Sequence, residues 1–199
     1  MVTTAVKEAG KKDVKPEKEI KKIEGESEPA EEKKDPDLLT LEDIKQQVHL
    51  IEKSVQSKDP RFAARVLRAL TTTRKRLNVA VLTAIINGYF TSQSSEKSKL
   101  LEFLPSSMET DAKPLVFQPR SAKSATQPLL PEVSTYISLL VLVYLLDNKD
   151  YEKAMSWSNA VMDRLVLLNR RTLDSLQAKC YFYYARAHEL GGQLESIRR

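Results

Sequence analysis

Downstream of Thr40 the apolar residues recur with a helical period. Leu41, Ile44, Val48, Ile51 and Val55 are spaced 3, 4, 3 and 4 apart, one stripe on one helix. Thr40-Leu41-Glu42-Asp43 has the form of a capping box, which places the start of that helix at Thr40. Asp59-Pro60 is a second start signal, an N-cap residue followed by proline at the first helical position, with Phe62, Val66, Leu67 and Leu70 facing inward. A third helix is predicted from about Arg74 to Phe90, burying Leu77, Val81, Leu82, Ile85, Ile86 and Tyr89, and a short fourth from Ser95 to Leu104. The fifth, Glu132 to Leu146, is apolar on most sides and belongs at the centre. The sixth, Tyr151 to Leu168, turns Tyr151, Ala154, Met155, Val161, Met162 and Leu165 to one face. The seventh, Thr172 to Leu190, does the same with Leu173, Leu176, Cys180, Tyr183, Tyr184 and Ala187, and stops at the left-handed terminator Gly191-Gly192. Gln193 to Arg199 reads as the first turn of another helix, so the chain is expected to stop inside a longer array.

Two stretches lack this period. Residues 1–39 carry 9 Lys and 11 Asp or Glu, three prolines and no aromatic residue, too little apolar surface to offset the entropy of ordering, and are expected to form a disordered charged tail. Residues 105–131 hold five of the nine prolines, so they are read as a Pro-rich linker in which Val116-Phe117 could dock as an extended peptide. The predicted organisation is thus a tail over 1–39, a helical bundle over 40–104, a linker over 105–131 and paired helices over 132–199. Short connections at Asp147–Asp150 and Asn169–Arg171 make neighbouring helices antiparallel. Asn148 to Ala154 is similar to the turn of a tetratricopeptide (TPR) repeat, and Gly192 to Glu195 begins an equivalent one. The expected fold is all-α, a right-handed TPR-like helical-repeat solenoid preceded by the tail.

Composition narrows the chemistry. One cysteine cannot form an internal disulfide, two histidines cannot furnish a multi-histidine centre, and five glycines include no GxGxxG or P-loop. No cofactor, metal or catalytic residue is expected, so binding or scaffolding leads over an oxidoreductase or hydrolase. The start lacks an apolar secretory segment, and the longest apolar run, Leu139 to Leu146, has eight residues against about 20 needed to cross a bilayer. An intracellular, reducing setting is the expectation. The net charge of +5 divides unevenly: beyond residue 39 there are 23 basic and 16 acidic residues, which favours an acidic partner.

Candidate functional residues follow from this balance. Arg61, Arg65 and Arg68 share one helix face and precede Arg74-Lys75-Arg76, a basic strip that suits a solvated surface, an acidic protein or, less favoured, nucleic acid. Cys180 and His188 lie about 12 Å apart along one helix, too far for a dyad, so Cys180 is read as a small packed hydrophobe. His188 and His49 are read as structural or exposed. Tyr181-Phe182-Tyr183-Tyr184 could stack on bases but points in four directions, which suits wedging one helix pair against the next. Arg170-Arg171 could bond the last carbonyls of the sixth helix.

Several stretches together resemble the 26S proteasome non-ATPase regulatory subunit 3 family. They are Thr40 to Lys45, Asp59-Pro60-Arg61-Phe62 with Arg65 and Arg68, Arg76-Leu77-Asn78, Phe90-Thr91-Ser92, Phe117-Gln118-Pro119-Arg120, Pro128 to Val133, Asn169 to Asp174 and Ala178 to Arg186. The resemblance implies a non-catalytic scaffold in the lid of the 19S regulatory particle, acting in ubiquitin-dependent degradation in cytoplasm and nucleus. It implies a hetero-oligomer with other lid subunits, including a small acidic one, for which Arg61, Arg65 and Arg68 are the candidate contact. Family members continue into a PCI module, and this sequence stops before it. The alternatives are a scaffold of another PCI complex, such as the signalosome or a translation initiation factor, and a basic helical nucleic-acid binder.

Overall fold

The computed structural model describes residues 35–91, 94–105, 115, 117–120 and 128–197. Its elements are α1 (Pro36–Ser57), α2 (Pro60–Thr73), α3 (Val79–Tyr89), α4 (Ser95–Phe103), α5 (Pro131–Asp147), α6 (Tyr151–Leu167) and α7 (Asp174–Leu190). Short 3-10 turns stand at Arg74–Arg76, Arg171–Leu173 and Leu194–Ile197. The described residues contain no strand. The fold is an all-α helical-repeat solenoid, in which α1 packs on α2, α5 on α6 and α6 on α7.

The start of α1 differs from the sequence expectation, which put residues 36–39 in the tail. The helix begins at Pro36, and Thr40 lies inside it, donating its hydroxyl to the Pro36 carbonyl at 2.9 Å instead of capping. Asp35-Pro36 is the same kind of start as Asp59-Pro60, where Asp59 does cap, accepting from the Arg61 N–H at 2.9 Å. The rest of the predicted tail, through residue 34, lies outside the described residues.

The third helix also starts later than expected. Arg74–Arg76 extends the end of α2 as a 3-10 turn, after which Leu77 is buried in an extended conformation and Asn78 leads into α3. At the other end of the chain, the left-handed residue after α7 is Gly192, at φ 71°, not Gly191. Gly191 matters for space: a Cβ there would lie 2.5 Å from Met155 Sδ of α6. Past this turn the chain forms the 3-10 segment Leu194–Ile197 where the start of another helix was expected.

α5 sits at the centre, as its unbroken apolar run predicts. Of its residues only Pro131, Tyr144 and Asp147 escape full burial, and Leu139, Leu140, Leu142 and Leu145 are at most 1% exposed. Each such leucine contributes about 1.5–3 kcal/mol through removal from water. α1, α3, α6 and α7 all pack on α5, so a single hydrophobic cluster runs from Leu41 to Ala187. A buried polar thread crosses it. Tyr136 donates to Gln47 Oε1 at 2.5 Å, and Gln47 Nε2 donates to Thr73 Oγ1 at 2.8 Å, joining α5, α1 and α2. Burial raises the Tyr136 hydroxyl pKa and keeps it a donor.

Where the predicted linker is described, it lies on the body. Phe117 meets Tyr89 edge-on with ring centroids 6.0 Å apart, and a Cβ on Gly88 would lie 2.7 Å from the Phe117 carbonyl oxygen. Val116, expected to dock alongside it, lies outside the described residues.

Candidate partner-binding surface

Arg61, Arg65 and Arg68 are placed on the outer side of α2 because Ala63, Val66 and Leu70 occupy the inner one. All three arginines are exposed, and among the described residues none of them makes an ion pair. Arg68 Nε reaches back to the Ala64 carbonyl at 3.4 Å. Arg65 lines a cleft of about 350 Å³ between α1 and α2 together with Leu50, Ala69, Gln46, Thr72, Asp43 and Arg76. The α2 face therefore offers three exposed cations, one of which, Arg65, stands at a cleft of mixed polar and apolar lining.

The two arginines in the remainder of the basic strip are committed within the chain. Arg74 holds Asp147 at the end of α5 with Nε 2.8 Å from Oδ1 and 2.6 Å from Oδ2, and this hydrogen bond raises the guanidinium pKa further. Arg76 Nη1 lies 3.2 Å from Asp43 Oδ2 of α1. These pairs link elements distant in sequence, so Arg74 and Arg76 are ties and not spare charge, which sequence spacing could not reveal.

Arg170 also departs from its expected role. It does not cap α6; its Nη1 pairs at 3.3 Å with Glu132, a carboxylate at the start of α5 with 0% exposure. Thr172 Oγ1 donates to the other Glu132 oxygen at 2.5 Å. Arg164 of α6 completes the set, lying 3.3 Å from Glu96 of α4 and donating to Ser138 Oγ of α5 at 2.8 Å. α5 is thus held by arginine at both ends and along its side.

The other singled-out residues are structural. Cys180 is buried, and burial pushes its thiol up to about 12, far from a nucleophile's range. His188 is buried edge-on to Tyr184 at 4.7 Å, with Ser196 Oγ 3.3 Å from Nδ1. His49 is exposed beside Glu52. Of the aromatic run, Tyr183 is buried and Tyr184 half-buried, while Tyr181 and Phe182 face outward, Phe182 under the Lys179 ammonium at 4.8 Å. Trp157 was missed as a core residue; it is buried against Phe103 at 5.0 Å and donates to the Ser138 carbonyl at 3.1 Å. Among the described residues no group of three or more His, Cys, Asp or Glu could hold a metal ion, and no helix is long and apolar enough to cross a membrane.

Comparison with known proteins fits this all-helical, surface-presenting architecture. The family described as "PSMD3-like, N-terminal TPR repeats" matches residues 36–199, beginning where α1 begins. The 26S proteasome non-ATPase regulatory subunit 3 of Dictyostelium discoideum is 38% identical over 175 residues, 85% of this chain and 35% of its own length. The probable 26S proteasome non-ATPase regulatory subunit 3 of Anopheles gambiae is 39% identical over 166 residues, 83% of this chain and 33% of its own. In Arabidopsis thaliana, homolog A of the subunit is 32% identical over 164 residues, 80% and 33% of the two chains. The chain spans about a third of the length of these curated relatives. With the family model matching residues 36–199 and its boundary falling at the start of α1, the chain belongs to the PSMD3-like family, in the part that forms the N-terminal TPR repeats.

Proposed function

We propose that this chain is the N-terminal helical-repeat portion of a non-catalytic scaffold and regulatory subunit in the lid of the 26S proteasome regulatory particle. In that role it contributes to ubiquitin-dependent protein degradation by holding neighbouring subunits in register, in the cytoplasm and nucleus. The observation that carries the reading is the family match across residues 36–199, together with 38–39% identity to relatives that bear the proteasome subunit's name. The physical mechanism is surface presentation. Stacked helices fix ridges and clefts on a rigid core, partners bury apolar anchors there, and charged rims set their orientation.

The cationic face of α2 is the proposed contact for an acidic partner, the small acidic lid subunit being the first candidate. Arg61, Arg65 and Arg68 supply charge that makes no ion pair among the described residues, and half-buried Leu50 and Ala69 in the cleft beside Arg65 supply the apolar component. The test is co-purification of lid subunits with the tagged full chain and with its Arg61→Glu, Arg65→Glu, Arg68→Glu triple variant. The expected result is recovery of lid subunits with the wild type and loss of the acidic subunit with the variant, at unchanged helicity. Absence of all lid subunits from the wild type would remove the scaffold reading. Equal recovery of the acidic subunit by both chains would remove the role of the α2 face alone.

A further inference from the structure

Residues 117–120 have no regular secondary structure, yet they sit on the last turn of α3, which the chain left 31 residues earlier at the Arg120–Tyr89 contact. Phe117, Pro119 and Arg120 are half-buried while Gln118 is exposed, so the segment offers an aromatic-x-Pro-Arg pattern to the body. Phe117 packs edge-on to Tyr89, and Arg120 Nη1 donates to the Tyr89 carbonyl at 3.3 Å. Tyr89 is the last residue of α3. Its carbonyl is one of those that a helix end leaves without an intrahelical donor, at the negative pole of the helix dipole, where a guanidinium is favoured.

Gly88 is what admits the segment. A Cβ there would lie 2.7 Å from the Phe117 carbonyl oxygen, 2.7 Å from Pro119 Cδ and 3.0 Å from Phe117 Cδ1. Glycine is a poor helix former, and Gly88 does not have the positive φ that would favour it over alanine. The missing side chain therefore serves the close approach of residues 117 and 119 and not the course of α3. Pro119 adds to the fit, because its ring fixes φ and it has no N–H to leave unpaired, which lowers the entropy lost on seating. At the Arg120 end a cleft of about 260 Å³, lined also by Tyr89, Thr91, Ser94 and Glu96, leaves room for an incoming chain.

We propose that the end of α3 is a recognition site for short protein segments of the pattern aromatic-x-Pro-Arg, and that residues 117–120 occupy it in cis as an autoinhibitory strap. The contacts just described involve four residues and one helix turn, so the seat reads the segment and not its connection to the chain. A tethered segment competes at an effective concentration on the order of millimolar, so a partner with the same pattern binds only once the strap is displaced. The site is separate from the α2 arginine face and stands whether or not the chain works in a proteasome lid.

The test uses the full chain and a free peptide with the sequence of residues 115–120, titrated into isotope-labelled protein and followed at the Tyr89 amide resonance. A strap variant, Phe117→Ala with Arg120→Ala, is expected to bind the peptide at least about tenfold more tightly than the wild type, whose own strap competes. Adding Gly88→Ala to the strap variant is expected to abolish that binding, because the Cβ fills the seat. Gly88→Ala alone provides a second readout that needs no peptide. It raises helix propensity and so keeps α3 folded, while trypsin is expected to cleave after Arg120 about tenfold faster than in the wild type. Equal peptide affinity in wild type and strap variant would overturn the proposal, as would peptide binding that survives Gly88→Ala. Equal cleavage after Arg120 in wild type and Gly88→Ala would show that the segment does not depend on the glycine seat and would likewise overturn it.

Discussion

At the scale of single residues, helical periodicity decides which side chains face inward, and it placed most but not all of them: Trp157 of α6 is a core residue it missed, and Val55 and Phe62, read as inward, are only half-buried. Val66, Leu70, Leu176 and Cys180 are buried as their spacing requires. Thr40 was misread because a threonine hydroxyl serves equally as an N-cap and as a donor to the carbonyl four residues back; the position of the helix start selects between them, and here it selects the second. Cys180 gives a prediction with a definite sign. Its folded-state pKa is raised to about 12 by burial, so the folded chain keeps a proton that the unfolded chain gives up above about pH 9. Stability is therefore expected to fall between about pH 9 and 12, by up to about 4 kcal/mol from this group, with buried Tyr89 and Tyr136 acting in the same direction. Denaturant midpoints measured across that range check this: the decline should be shallower in Cys180→Ala, and equal slopes would show that the thiol is not the group responsible.

At the scale of elements, boundaries depend on contacts as much as on propensity. α3 starts at Val79 because Leu77 is drawn into the core in extended form, a choice no local signal near Arg74 announces. α5 was legible without help, since eight apolar residues in a row put apolar side chains on every side of the helix. Leu142→Asp is accordingly expected to cost several kcal/mol and to collapse the cooperative unfolding transition, because the new carboxylate has no partner in the core. Unaltered circular dichroism and thermal midpoint in that variant would contradict a buried α5. The carboxylate at the start of the same helix behaves differently. Arg170→Ala leaves Glu132 buried with only the Thr172 hydroxyl and is expected to cost about 2 kcal/mol, moderated because the Arg170 side chain is itself 41% exposed. Glu132→Gln keeps an acceptor for Thr172 and removes the charge, so it is expected to cost less, within about 1 kcal/mol. Chemical denaturation of both variants tests the order, and a costlier Gln variant would refute it.

At the scale of the molecule, helices from both sides of the Pro-rich stretch share one core. α1 and α3 pack on α5, and α2 packs on α7, with Arg74 tying the end of α2 to the end of α5. Residues 36–197 are therefore expected to unfold in one transition, with calorimetric and van't Hoff enthalpies in agreement. Two resolved transitions in a thermal scan would mean that the helices before and after the stretch fold separately.

Amino-acid order alone determined the helical class, the central place of α5, the inward faces and the family, because all of these follow from local periodicity or from residue order along one chain. Tertiary structure decided which arginines are available. Arg61, Arg65, Arg68, Arg74, Arg76 and Arg170 are chemically alike in the sequence, yet among the described residues three of them meet carboxylates on other helices and three do not. A guanidinium's function depends on what lies within about 4 Å of it, and that distance is set by packing between segments far apart along the chain.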